Sequence, residues 1–216
     1  MRKMLMVAAL AATFAFQANA QTRPAVSDGK YSLYGGEVLG KGVNAVSGEF
    51  GWPSITFGYT HGMGQNWDIG AKFDLLYGFE GVTSATQFGL GFRVPLRMTM
   101  LRSDRISVLV HFDPGLKLFT YSPAFFGFSF PIGTVIGYAA SPQVNVGFGF
   151  DLPMTLYVTP SPVKFILGPM FGPAIEYHLD QRILVGFNTR FGPIFNTQSG
   201  ANDFGFLMQL LLAYRM

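Results

Sequence analysis

The chain has 216 residues, with 15 Lys and Arg against 12 Asp and Glu, three His and no Cys. The lack of Cys excludes a disulfide framework and thiolate metal sites, and three scattered His show no metal-ligand spacing. Basic residues cluster on no segment, which excludes nucleic acid as a partner, and no cofactor is expected.

The first 20 residues read as a signal peptide. Arg2 and Lys3 form a positive start, residues 4–16 are apolar, and Ala18-Asn19-Ala20 is a small-residue cleavage site. The expected mature chain starts at Gln21. Removing Arg2 and Lys3 from the 15 basic residues leaves 13 against 12 acidic, so the basic pI of the whole chain says little about partners. No later run reaches the ~18 apolar residues that a membrane helix needs. Charged residues are only 12% of the chain and aromatic residues 16%. In an exported protein this points to a large apolar surface facing lipid.

Residues 21–42 are mixed, with Pro24, Asp28, Lys30 and Glu37. They are expected to be a periplasmic lead-in with a short extended piece at 31–34. From residue 43 to 216 the pattern changes to alternation. The run 67–80 is the clearest case. Trp67, Ile69, Ala71, Phe73, Leu75, Tyr77 and Phe79 share one face, while Asp68, Lys72, Asp74 and Glu80 fall on the other. Period two means a β-strand. This one is too long for an average soluble strand but suits a tilted bilayer crossing.

Ten such segments are expected, over 44–51, 54–60, 67–79, 87–99, 106–118, 128–139, 144–158, 164–177, 183–195 and 204–216. Eight or twelve strands stay open, because the Trp52-Pro53 link is tight for an outer loop. The connections at 62–66, 101–104, 141–143 and 178–182 are short and rich in turn residues. Those at 81–86, 119–127, 159–163 and 196–203 are mostly longer. Outer-membrane barrels alternate in this way, with short periplasmic turns, longer outer loops and both termini in the periplasm.

The charges test the assignment of faces. Glu49, Asp68, Lys72, Asp74, Glu80, Arg93, Arg97, Asp113, Lys117, Asp151, Lys164, Glu176, Arg190 and Arg215 all fall on the inward parity. A Lys or Arg facing lipid at mid-depth costs about 2–4 kcal/mol. A lipid-facing wall excludes such residues, whereas a soluble barrel would place them outward. Seven acidic and seven basic residues are expected to pair inside a narrow lumen. Aromatic residues near strand ends, such as Tyr59, Trp67, Tyr177 and Tyr214, suit interfacial girdles. Pro95, Pro131, Pro153, Pro169, Pro173 and Pro193 fall inside the expected strands. They call for bulges or bends, since proline removes a ladder donor.

The leader, the alternating strands and the final run Phe204, Phe206, Met208, Leu210, Leu212, Tyr214, Met216 together resemble Gram-negative outer-membrane β-barrel proteins. Those proteins usually end in an aromatic residue that the barrel-assembly machinery recognises; Met216 replaces it here. The resemblance implies an all-β, closed, antiparallel up-and-down barrel, with outer-membrane lipids and the assembly machinery as partners. It names no activity.

Barrel enzymes need a His beside a nucleophile or carboxylate. His61 and His178 fall at short-turn ends. His111 faces inward with Asp113 on the same face, which reads as a lumen hydrogen bond. Ser107 lies about 13 Å from His111 along a strand, too far for a triad. The expectation is therefore a non-enzymatic barrel with an occluded polar lumen and a structural or surface-interaction role. A narrow, porin-like pore lined by the same charges is the alternative, and an enzyme acting on lipid or peptide a more distant one.

Overall fold

In the computed structural model, residues 31–82, 86–120, 123–158, 163–197, 200 and 202–216 are described; the expected signal peptide and the start at Gln21 lie outside them. The described chain is all-β. In order the strands are β1 (Asn44–Trp52), β2 (Ser54–Gly62), β3 (Trp67–Gly78), β4 (Thr86–Arg93), β5 (Leu96–Arg102), β6 (Ile106–Phe112), β7 (Gly115–Phe119), β8 (Phe125–Ser129), β9 (Ile132–Ala139), β10 (Val144–Leu152), β11 (Met154–Val158), β12 (Lys164–Leu167), β13 (Met170–His178), β14 (Ile183–Asn196) and β15 (Asn202–Arg215). All belong to one antiparallel sheet in the order β12-β11-β8-β7-β4-β3-β2-β1-β15-β14-β13-β10-β9-β6-β5. The pairings β12–β14 and β3–β5 give each terminal strand of that order a second neighbour, so each strand bonds to neighbours on two sides.

The count of fifteen corrects the expected ten, and the reason is proline. Five long runs are each divided in two. The breaks between β4 and β5, β6 and β7, β8 and β9, β10 and β11, and β12 and β13 contain Pro95, Pro114, Pro131, Pro153 and Pro169. Each proline lacks the N–H that the ladder needs. Its carbonyl still accepts at several breaks: Gly70 N donates to Pro95 O at 2.8 Å, Val94 N to Pro114 O at 2.8 Å and Asp113 N to Pro131 O at 2.9 Å. The breaks lie side by side and form a line across the wall. Pro173 and Pro193 stay inside β13 and β14. The expected loop 119–127 shrinks, because β7 runs to Phe119 and β8 starts at Phe125. The short turn between β13 and β14 is closed by Asp180, whose Oδ1 accepts from Arg182 N at 2.6 Å and Ile183 N at 2.7 Å. The Ile183 and Arg182 amides hold its carboxyl below the usual range.

Register sorts the side chains into an outer and an inner set. One outward row passes through Phe57, Phe73, Phe92, Leu116, Phe128 and Leu156 on successive neighbours. The first five of these are exposed. Soluble monomers rarely expose apolar patches beyond a few hundred Å². One inner row runs Glu49, Thr56, Asp74, Gly91, Lys117. The sheet is thus apolar outside and polar inside.

Two apolar clusters fill the interior. Leu76, Phe119, Tyr157, Ile166, Met170 and Ile194 pack with Phe79 and Phe125 on the side of the longer connections. The other cluster draws on the chain before β1: Tyr31, Tyr34 and Leu39 pack against Ala45, Ala174, Leu184, Leu211 and Ala213. The described part of the expected lead-in therefore lies against the inner wall, with Tyr31, Val38 and Leu39 buried.

Candidate functional site

Between these clusters lies a cavity of about 240 Å³. Its wall is a chain of ion pairs that follows the register. On β1 and β3, Lys72 Nζ donates to Glu49 Oε1 at 2.5 Å. Arg93 on β4 grips Asp74 on β3 with two hydrogen bonds, Nε to Oδ2 and Nη2 to Oδ1, both 2.7 Å. This forked geometry is the strong form of the pair. Thr56 adds a hydroxyl to Asp74 at 2.6 Å. Arg93 Nη1 next approaches Asp113, in the break between β6 and β7, to 3.8 Å.

The chain continues through His111. Its Nδ1 is 3.4 Å from Asp113 Oδ1, and its Nε2 is 2.7 Å from Asp151 Oδ1. The sequence pointed to Asp113; the shorter contact is to Asp151 on β10. Register explains it. His111, Gly133 and Asp151 occupy one row on β6, β9 and β10, and Gly133 leaves the space over which the two side chains meet. Arg190 Nε on β14 then donates to the other Asp151 oxygen at 2.7 Å, and its Nη1 reaches Asn188 Oδ1 at 2.5 Å.

The remaining sequence-derived residues divide between the two ends. Toward the longer connections, Lys117 donates to Glu80 at 2.6 Å, and the Tyr157 hydroxyl donates to the same carboxylate. Glu80 lies just beyond β3 with a φ of 51°. Lys164 lies opposite Tyr157 on the inward side of β12. At the other end, Asp68, Arg97 and Glu176 hold the segment before β1. Arg97 Nη2 donates to Asp68 Oδ2 at 2.6 Å, and Arg97 Nη1 to the Leu33 carbonyl at 2.9 Å. Asp68 Oδ2 accepts from Leu39 N at 3.0 Å. Glu176 accepts from Ser32 Oγ, Leu33 N and Tyr34 N, each at 2.7 Å.

The partners on this segment were missed by the sequence reading. Tyr31 to Leu39 shows no sustained alternation, and its hydrogen bonds use backbone atoms that no residue type reveals. The only local signal was the apolar content of Tyr31, Leu33, Tyr34, Val38 and Leu39 in a stretch read as a periplasmic lead-in. Asn188 and Gln209, also on the cavity wall, were passed over because they carry no charge. Ser107 contacts Gly35 O at 3.4 Å rather than His111.

No known family and no curated protein matches the sequence. Among solved structures, the outer membrane protease OmpT from Escherichia coli is similar at 9% identity and a TM-score of 0.44, over 81% of this chain and 96% of that one. The Ralstonia pickettii toluene transporter TbuX is similar at 10% identity and a TM-score of 0.34, over 92% and 82%. Identities this low say nothing of activity.

Proposed function

We propose that the chain is an outer-membrane β-barrel whose lumen is occluded, with a structural or surface-interaction role and no catalytic one. The observation that carries this reading is the position of residues 31–39. They lie inside the ring, tied to Glu176, Asp68 and Arg97 on the wall, with the aromatic cluster packed at the opposite end. The returning strand order supports closure, which leaves no open edge. The outward row of Phe and Leu supports a lipid-facing wall, because such a face has no reason to exist in water. The short turns then face the periplasm, and residues 31–39 fill the periplasmic half.

His111 sits between two carboxylates in a row of ion pairs, which suits a structural polar network better than an acid–base centre. Liposome swelling tests the reading. Refolded protein in liposomes should give no swelling in an isotonic solution of a small sugar. Swelling at a rate that tracks sugar size would favour the narrow pore instead.

A further inference from the structure

The central cavity is built rather than left over. Charged side chains that merely filled the lumen would meet at its axis. Here they lie along the wall, because glycines opposite them carry no Cβ. A Cβ on Gly91 would meet Asp74, one on Gly133 would meet Asp151 and His111, and one on Gly149 would meet the Arg190 guanidinium. Three inward positions thus keep the middle of the lumen open. The volume of about 240 Å³ far exceeds the roughly 10–15 Å³ that one water requires on the same measure.

The charges that border this space are sorted by sign around the wall. On β3 and β4 the cations face it: the Lys72 and Arg93 side chains are 19% and 20% exposed, while Glu49 and Asp74 behind them are 4% and 3%. Further round, the order reverses. Asp151 is 21% exposed and Arg190 behind it 5%. Donors also remain unspent. Lys72 has three N–H bonds, one of which goes to Glu49. Arg93 Nη1 stands 3.8 Å from Asp113, beyond hydrogen-bond reach, and Asp113 is held only loosely at 3.4 Å by His111. On the side of the longer connections, Leu76, Met170 and Leu207 give the cavity an apolar wall.

We infer that this chamber binds a small zwitterion of the amino-acid class with a short apolar side chain. Its carboxylate meets Lys72 and Arg93, its ammonium meets Asp113 and Asp151, and its apolar part lies against Leu76, Met170 and Leu207. Net charge decides for a zwitterion. Each acidic residue on or behind this wall has its own cationic partner, with Asp113 facing His111 and Asp68 facing Arg97, so the set is balanced. An ion of either sign would bring an uncompensated charge among half-buried ion pairs, which is costly. A zwitterion leaves the balance unchanged while using both spare donors and spare acceptors.

Titration calorimetry on the refolded full-length protein, with L-leucine as probe, tests this. The controls are 4-methylpentanoate, which lacks the ammonium, and 3-methylbutylamine, which lacks the carboxylate. Leucine should bind, and each control should bind at least about tenfold more weakly. Two variants should weaken leucine by about tenfold or more. Lys72→Met with Glu49→Gln removes a cation together with its buried partner, and Leu207→Trp fills the apolar side. Unheated-gel mobility verifies folding, and if a variant fails that check the analogue series decides alone. No heat with leucine, equal binding of all three probes, or unchanged affinity in two folded variants would overturn the inference. The inference rests on the occluded-lumen reading for the chamber's enclosure, and the two fail separately. Sugar permeation with leucine binding removes occlusion and keeps the site; impermeability without leucine binding removes the site alone.

Discussion

Single residues in this wall act through what lies directly opposite them. Asp74 is buried and holds Arg93 by two hydrogen bonds. Removing one partner strands the other's charge, which costs about 3–5 kcal/mol at a buried pair. Asp74→Asn should therefore destabilise by about 3 kcal/mol in urea unfolding, and Asp74→Asn with Arg93→Met should recover much of the loss. A double-variant loss equal to the sum of the two single-variant losses would mean the pair is not coupled. Gly133→Ala should also disturb the lumen, since its Cβ would fall on the His111–Asp151 contact. That the charges share one parity along their strands was legible in the sequence, because a strand alternates its side chains. Which partner it meets was not. That depends on register across strands distant in sequence, as with His111 and Asp151, 40 residues apart.

At the scale of elements, prolines and the segment before β1 decide the shape. The alternation located the long runs, and the prolines inside them signalled bends. The division into paired segments depends on which N–H groups the ladder misses, and Pro114 was not among the prolines singled out. The segment 31–42 was read as a lead-in because it lacks alternation. Its place inside the ring is set by Glu176, Asp68 and Arg97, each on a different strand, so no local pattern could announce it. Glu176→Ala should loosen this segment and leave the sheet intact. Protease should then cleave near residues 31–42 in the variant and spare them in the parent protein, while unheated-gel mobility stays unchanged. Cleavage at equal rates would separate the segment from Glu176. At the opposite end, Phe119 is fully buried among Phe79, Phe125 and Tyr157. Phe119→Ala should cost about 3–5 kcal/mol in the same urea assay.

The whole molecule joins an apolar exterior to a polar interior with an apolar cluster toward each end. If the exterior meets lipid, Phe73→Arg should impair insertion, at a cost of about 2–4 kcal/mol near mid-depth. Folded protein should also run faster than boiled protein on unheated gels, as a compact barrel does, and identical mobility would contradict a membrane barrel. The central claim joins barrel to occlusion, and planar-bilayer recording of the refolded full-length protein addresses both at once. The account predicts insertion, verified by gel mobility, with no discrete conductance steps under applied voltage. Discrete, ion-selective steps from the intact chain would contradict it and make the inward charges the lining of a pore.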